Sequence, residues 1–185
     1  MNSKMLGRFL MAAALLAGAA AAATKANANL PQNDSDIANN VRHEIVMYPY
    51  YTLWDDISFR VANGSVDLAG AVTQPYKKDE IERRVEKVAG VTSVTDEIKV
   101  LPLSSMDDRL RQQVANAIYR DPMLARYATM AVPPIHIIVE NGRVTLTGVV
   151  SSDMEKQIAG MRATSSLSLG QVTNNLVVEH PAKKS

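Results

Sequence analysis

Apolar and polar residues alternate in two separate runs of the chain, residues 57–72 and residues 135–150. An Asn-Gly pair interrupts each run, at Asn63-Gly64 and at Asn141-Gly142. Asn-Gly between alternating segments is the strongest short-range signal for a β-hairpin, because both turn residues tolerate positive φ. The pattern therefore predicts two hairpins.

These hairpins belong to an internal repeat with an offset of 78 residues. Residues 57–100 align without a gap to residues 135–178, and 13 of the 44 positions are identical. Such self-similarity indicates duplication. We therefore expect two small domains, over residues 34–104 and residues 105–179, rather than one of medium size.

A segment with helical periodicity precedes each hairpin. We expect a cap at Asp34 or Ser35 to open this helix in the first copy, and a cap at Ser104 or Ser105 in the second. The apolar residues at helical spacing are Ile37, Val41 and Ile45 in the first copy, and Leu110, Val114 and Ile118 in the second. A Pro-containing stretch ends each helix.

A second helix follows each hairpin. In the first copy Ile81, Val85 and Val88 predict a buried stripe, and Pro75 suits the first turn. In the second copy the corresponding residues are small, and we expect three larger residues to fill the space nearby. The small residues are Ala159 and Ala163, and the larger ones are Met154, Ile158 and Met161.

A last strand closes each copy, over residues 94–100 and residues 172–178. The order αββαβ predicts an α+β fold in which a three-stranded mixed sheet carries two helices on one face. The other face is then either exposed or packed on a neighbour. A short linker at residues 101–104 favours packing of the two domains against each other.

The N-terminal segment has the pattern of a secretory signal peptide. Lys4 and Arg8 precede an apolar run at residues 9–23, and Ala26-Asn27-Ala28 offers a cleavage site, with residues 21–23 as a second candidate. A transmembrane anchor is the alternative, but the run is shorter than the roughly 20 residues that span a bilayer. We expect residues 1–28 to be removed and the protein to reach the periplasm.

The absence of cysteine changes this picture in one respect. Residues 16–19 resemble a lipoprotein processing site in which Ala19 stands where the lipidated Cys is required. The chain therefore cannot carry an N-terminal lipid anchor of that type, nor any disulfide. We expect a periplasmic protein that is not a lipoprotein.

Charge excludes one class of partner. Three of the 20 Lys and Arg residues precede Asn29, which leaves 17 against 19 Asp and Glu. No basic stripe with interleaved aromatic residues is present, so nucleic-acid binding is not expected. Residues 34–104 carry a net charge of about −4, residues 105–179 are balanced, and residues 180–185 form a basic tail.

The repeated unit resembles the BON domain. The resemblance rests on the Asn-Gly hairpin that ends Val-x-Leu-x-Gly-x-Val, on residues 120–124 (Arg-Asp-Pro-Met-Leu) in the second copy, and on residues 88–94 (Val-Ala-Gly-Val-Thr-Ser-Val) in the first. Two such domains behind a signal peptide are similar to osmotically inducible periplasmic proteins. The resemblance implies phospholipid binding and envelope maintenance, with chaperone-like roles for some members.

No arrangement of residues predicts catalysis, a cofactor or a metal site. His43, His136 and His180 lie on separate elements without a partner at metal-ligand spacing. The acidic pairs Asp55-Asp56 and Asp107-Asp108 are typical of a turn and a helix start, with a paired-carboxylate site as the less favoured alternative. Four glycines, which we assign to the hairpins rather than to a phosphate-binding loop, are Gly64, Gly70, Gly142 and Gly148.

Two groups of residues are candidates for a binding surface. The first is an aromatic cluster, Tyr48, Tyr50, Tyr51 and Trp54, which suits a membrane interface or a protein contact, or else caps the core. The second combines cations with partly apolar residues, namely Arg109, Arg111, Tyr119, Arg120, Met123, Arg126 and Tyr127. It can engage an anionic headgroup, or it is a solvated helix face neutralised by nearby Asp residues.

Two functions follow from these surfaces. The chain either associates weakly with anionic phospholipid surfaces in envelope maintenance or osmotic stress, or it contacts envelope proteins as an interaction or chaperone-like module. The charge balance places lipid binding on the second domain and the tail.

Overall fold

The computed structural model describes residues 33–167 and 171–179. The predicted signal peptide and the basic tail lie outside the described residues. Among the described helices, none is long and apolar enough to cross a membrane.

The first copy folds in the predicted order. Its elements are α1 (Asp34–Val46), β1 (Asp56–Ala62), β2 (Ser65–Val72), α2 (Pro75–Glu86) and β3 (Ser93–Val100). Strand β2 is central, antiparallel to β1 and parallel to β3. The two helices and the inward residues of β2 form a single hydrophobic core. This confirms a mixed three-stranded sheet with both helices on one face.

The second copy repeats this plan with two differences. Its elements are α3 (Ser105–Tyr119), a short 3-10 helix (Ala125–Thr129), β4 (Ile135–Glu140), β5 (Arg143–Val150), α4 (Asp153–Ser166), β6 (Gln171–Asn174) and β7 (Val177–Val178). The 3-10 helix lengthens the connection after α3. The predicted last strand is split into β6 and β7, which both pair with β5 in parallel.

The split occurs where Leu176 enters the core. Leu176 is fully buried, and its N–H donates to Oδ1 of Asn174 rather than to the sheet. The first copy has the same bond without a break in its last strand, since the N–H of Ile98 donates to Oδ1 of Asp96 at 2.7 Å and β3 continues to Val100. An Asx side chain two residues earlier thus sets the position of the inward residue in both copies.

The hairpins have the predicted geometry. Asn63 and Asn141 both have positive φ, as do the glycines that follow them. Residues on one side of β2 are completely buried, notably Val66, Leu68 and Val72. Burying such a side chain fully contributes about 1.5–3 kcal/mol. The hairpins therefore supply the central strand on which each core is built.

Two of the four hairpin glycines lie inside strands rather than in the turns. Gly70 in β2 and Gly148 in β5 have φ values of +127° and +107°. A Cβ on Gly148 would lie 1.9 Å from the carbonyl oxygen of Pro134, and one on Gly70 would lie 2.0 Å from that of Asp56. These glycines are required because the neighbouring strand approaches closely.

Two details of the helices differ from expectation. The cap of α1 is Asn33, whose Oδ1 accepts the N–H of Asp36 at 2.9 Å, rather than Asp34 or Ser35. Met154 and Met161 do not fill space in the core of the second copy, because both are exposed. Ile158 is half-buried and packs against that core together with the buried Ala159 and Ala163, as expected.

The two copies contact each other through the segment that follows α1. The N–H of Ile137 at the edge of β4 donates to the carbonyl oxygen of Leu53 at 2.8 Å. Leu53 and Trp54 also pack against the core of the second copy, and the ring centroids of Tyr51 and His136 are 5.4 Å apart. The outer edge of β4 is thereby partly covered by the first copy.

Candidate functional site

The aromatic cluster of the first copy is divided among three environments. Tyr48 is buried in the first core. The guanidinium carbon of Arg84 lies 5.2 Å from the centroid of its ring. Trp54 packs on the second core, and Tyr51 is half-buried against His136. Burial raises the pKa of Tyr51, and the carboxylate of Asp56 raises it further. These residues do not form one surface, and Tyr50 is the member that stays largely exposed.

Two residues of the second predicted surface are buried, and a third is half-buried. Arg111 is only 6% exposed, and its guanidinium donates to the carbonyl oxygen of Val139 at 2.7 Å and pairs with Asp108. Tyr127 is buried in the second core. Tyr119 is half-buried and donates to the carbonyl oxygen of Ile135 at 2.6 Å. The prediction that Arg111 and Tyr127 belong to an exposed surface is therefore wrong, since both are buried.

Four residues of that prediction remain exposed, namely Arg109, Arg120, Met123 and Arg126. Arg109 is separated from Arg120 by eleven residues of helix, or about 16 Å along the axis. It therefore lies apart from the other three, which follow the end of α3.

A further cation joins this end of the second copy. Arg162 on α4 lines a cleft of about 350 Å³ together with Arg120 and Pro122. We call the exposed residues Arg120, Met123, Arg126 and Arg162 the arginine patch. Sequence reasoning missed Arg162, although it is identical to Arg84 at the repeat offset of 78.

Two buried carboxylates hold the arginine patch in place. Oδ2 of Asp121 accepts from Nε of Arg162 at 2.7 Å, while its Oδ1 accepts the N–H of Met123 at 2.9 Å. Two hydrogen bonds lower the pKa of Asp121. The larger effect comes from the N–H of Met123 and the smaller from Arg162. One carboxylate thus links the loop after α3 to α4.

The second carboxylate is Glu155, in the first turn of α4. It accepts from Arg126 at 2.5 Å and from the hydroxyl of Tyr127 at 2.9 Å. Glu155 is buried, whereas the side chain of Arg126 is 57% exposed. In both ion pairs the negative group lies inside and the guanidinium faces solvent, so the outer surface is cationic.

The first copy lacks this arrangement at the equivalent place. Lys77 occupies the position that corresponds to Glu155, and its ammonium pairs with Asp55 at 2.6 Å with both groups buried. Thr52 and Thr73 also donate to the carboxylate of Asp55. Lys77 thus directs its charge to the buried Asp55 and not to solvent.

The remaining acidic and histidine residues show no metal-binding geometry. Asp107 is buried and accepts from the backbone N–H groups of Asn141 and Gly142. Within residues 33–167 and 171–179, no group of three or more His, Asp or Glu side chains is placed to hold a metal ion.

Comparisons with known proteins identify the repeated unit. The family model described as "BON domain" matches residues 33–102 and residues 106–180, which confirms the resemblance noted in the sequence. No curated protein matches the chain.

Two solved structures of CdsD, a structural protein of the type III secretion system of Chlamydia trachomatis, are similar to the chain at 16% identity. One covers 78% of this chain and 94% of its own, with a TM-score of 0.27. The other, of the C-terminal domain, covers 80% and 100%, with a TM-score of 0.29. These scores are too low to support an argument about fold or function.

Proposed function

The chain belongs to the BON-domain family, and from that premise we propose that it is an exported, non-enzymatic protein that attaches weakly and reversibly to anionic phospholipid surfaces. The arginine patch on the second copy is the attachment site. The observation that carries the proposal is the orientation of its ion pairs, in which Asp121 and Glu155 are buried and the guanidinium groups of Arg162 and Arg126 face outward.

The composition of the patch supports contact with a bilayer surface. Arg120 has no carboxylate partner among the described residues, so its full charge is available to a phosphate group. Met123 is exposed beside these cations and offers an unbranched apolar side chain to the interfacial region. Guanidinium groups also match phosphate oxygens in bidentate geometry.

The expected strength is low. A cation near an anionic surface contributes about 1 kcal/mol, and it is screened beyond a Debye length of about 8 Å at physiological salt. Three arginines, two of them paired with carboxylates, give at most a few kcal/mol. The association is therefore expected to be reversible and sensitive to salt, as suits a role in envelope maintenance or osmotic stress.

Export is part of the same proposal. We propose that residues 1–28 are a cleaved signal peptide and that the mature protein is periplasmic, with domains at residues 34–104 and 105–179 and a basic tail at residues 180–185. Cell fractionation followed by N-terminal sequencing tests it. The expected result is a periplasmic chain that begins at Asn29, and a full-length chain retained in the membrane fraction would contradict it.

Cosedimentation with vesicles tests the attachment itself. Vesicles with anionic phosphatidylglycerol are expected to bind the protein at 20 mM salt and to release most of it at ~300 mM, because the interaction is electrostatic. Vesicles of phosphatidylcholine alone should bind little. Equal binding to both vesicles at both salt concentrations would contradict the proposal.

The exposed methionines favour a second candidate, a protein-interaction or chaperone-like module. Met side chains are usually buried, but all six in the described residues are exposed: Met47, Met106, Met123, Met130, Met154 and Met161. Flexible thioether side chains suit contact with varied apolar partners. If this function holds, the protein suppresses aggregation of an unfolded client, and replacing Met154 and Met161 with Ser weakens the effect.

A further inference from the structure

The two hairpin turns consist of a chemically reactive pair of residues. The asparagine side chains of Asn63-Gly64 and Asn141-Gly142 are exposed, and all four residues have positive φ. In an Asn-Gly pair the backbone nitrogen of the glycine can attack the side-chain carbonyl of the asparagine, because glycine has no side chain to hinder the approach. The turns that build the hairpins are therefore also candidate sites of deamidation.

Deamidation proceeds in two steps. The glycine nitrogen loses its proton and forms a bond to Cγ of the asparagine, while the bond from Cγ to the side-chain nitrogen breaks. The proton ends on the leaving group, which departs as ammonia, and a cyclic imide remains. Water then opens the imide at either carbonyl carbon and leaves aspartate or isoaspartate. Water is the only co-reactant, so the first step, which needs a free glycine N–H, is the one that the fold can control.

The glycine N–H of each turn is not free. Oδ1 of Asp107 accepts the N–H of Gly142 at 2.9 Å, and its Oδ2 accepts that of Asn141. Oδ1 of Asp34 accepts the N–H of Gly64 at 3.0 Å. Hydrogen bonds to a carboxylate are charge-assisted, and a negative charge beside the nitrogen disfavours loss of its proton. Each carboxylate therefore opposes the first step of the reaction.

We propose that Asn63 and Asn141 are deamidation sites, and that Asp34 and Asp107 suppress their reaction in the folded protein. Each carboxylate keeps the attacking nitrogen protonated and fixes it to the start of the first helix of its copy. The unfolded chain lacks these contacts, so its Asn-Gly pairs react freely. This role does not depend on attachment to bilayers.

The products of the reaction do not fit the hairpins. Isoaspartate adds its Cβ atom to the main chain, whereas each two-residue turn joins strand residues that face each other directly, Ala62 with Ser65 and Glu140 with Arg143. Either product also places a new negative charge beside the carboxylate that holds the turn. Suppression of the first step therefore preserves the turn next to the central strand of each copy.

The two glycines differ in how much else holds them. The carbonyl oxygen of Gly64 also accepts the N–H of Thr92 at 2.9 Å, and Gly64 is buried. Gly142 is half-buried, and a Cβ added there would meet nothing within 4 Å among the described residues. Loss of the carboxylate is therefore expected to release the second turn more fully than the first.

The D107A variant tests the second turn. The folded protein is incubated at mildly alkaline pH, peptide mass spectrometry gives the deamidation rate at each turn, and isoaspartyl methyltransferase labelling identifies isoaspartate. The rate at Asn141 is expected to rise at least about tenfold, because a charge-assisted hydrogen bond no longer has to break before attack. Asn63 in the same molecule is the control and should keep its rate. An unchanged rate at Asn141 would overturn the proposal, and so would equal acceleration of both turns, which would assign the reaction to unfolding of the chain.

The D34A variant exchanges the target and the control. The rate at Asn63 is expected to rise by about three- to tenfold, less than at the second turn because Thr92 still holds Gly64. The rate at Asn141 should stay the same. No change at Asn63, or the same change at both turns, would contradict the proposal. Because Asp34 is exposed, this variant decides the question if D107A does not fold.

The natural protein unfolded in urea supplies the reference rate. Both turns are expected to deamidate at least about tenfold faster there than in the folded protein, since neither carboxylate then holds a glycine N–H. Equal rates in the folded and unfolded protein would show that the fold gives no protection, and the proposal would fail.

Discussion

The carboxylate of Asp107 on α3 accepts the N–H of Gly142 through Oδ1, and the N–H of Asn141 through Oδ2, both at 2.9 Å. Asp34 on α1 holds the Asn63-Gly64 turn in the same way, at 2.8 and 3.0 Å. In each copy one carboxylate therefore fastens the hairpin turn to the start of the first helix.

Burial distinguishes these two contacts and leads to a prediction. Asp107 is 1% exposed, whereas Asp34 is exposed. We expect D107A to lower the free energy of unfolding by about 2–3 kcal/mol, because two charge-assisted hydrogen bonds to a buried carboxylate are lost. D34A should lower the free energy of unfolding by clearly less, since water can reach the turn N–H groups in place of the exposed carboxylate. Urea denaturation measures both, and equal costs would contradict the assigned difference.

The buried ion pair of the first copy gives a second prediction. In K77M, Asp55 keeps its negative charge in the core without the ammonium, and we expect a loss of about 3–5 kcal/mol in the free energy of unfolding. Lys87, which is exposed just after α2, provides the control. K87M should change stability by less than about 0.5 kcal/mol. A similar small effect of K77M would mean that the pair is not buried as described.

Two glycines of the second copy provide a matched test of backbone geometry. Both Gly142 and Gly148 have positive φ, but an added Cβ meets nothing within 4 Å at Gly142 and a carbonyl oxygen at 1.9 Å at Gly148. We expect G142A to cost about 1–2 kcal/mol through backbone strain alone. G148A should lower the stability distinctly more, because the chain at Pro134, just before β4, must also move to make room for the Cβ. Thermal unfolding of the two variants checks the order, and the reverse order would be inconsistent with the close approach of Pro134.

The histidine at the boundary between the copies predicts a pH dependence. Desolvation lowers the pKa of His136 in the folded protein, while Asp56, Asp55 and Thr52 favour the charged form less strongly. The unfolded chain therefore binds a proton more readily than the folded one. This stabilising contribution is present above a pH of about 6.5 and is lost as the pH falls below it.

Comparison with H136F isolates this contribution from that of the carboxylates, which also titrate. The unfolding free energy of the natural protein minus that of H136F should decrease as the pH is lowered from 7.5 to 5. The H43F variant, which changes an exposed residue of α1, serves as the control. If this signed difference is constant with pH, or increases on acidification, the result would contradict the burial of His136.

The hairpins and helices could be predicted because their signals are local. Asn63 and Asn141 take the positive φ values that an Asn-Gly turn requires. The exposure of individual arginines is harder to predict, because a basic residue on an amphipathic helix is usually exposed. Arg111 instead continues the buried spacing of Val114 and Ile118 towards the start of α3.

The same feature recurs in the second helix of each copy. Lys77 precedes Ile81 by four residues, and Glu155 precedes Ala159 by four, so each charged residue extends a buried stripe by one turn. The spacing alone could have revealed their burial. Their partners could not be found in this way, because Asp55 and Arg126 lie 22 and 29 residues away on other segments.

The position of the arginine patch is the central claim, and charge reversal tests it most directly. Arg120 belongs to the patch and has no carboxylate partner among the described residues, whereas Arg143 is another exposed arginine at the start of β5, beside the Asn141-Gly142 turn. Both variants, R120E and R143E, change the net charge by the same amount.

Binding of the two variants to phosphatidylglycerol vesicles at low salt is the decisive measurement. R120E is expected to bind about tenfold or more weakly than the natural protein, because reversal replaces attraction by repulsion worth more than 1.4 kcal/mol in total. R143E should lose clearly less affinity for the vesicles. Equal losses in the two variants would show that net charge alone governs binding, and unchanged binding of R120E would contradict the arginine patch as the attachment site.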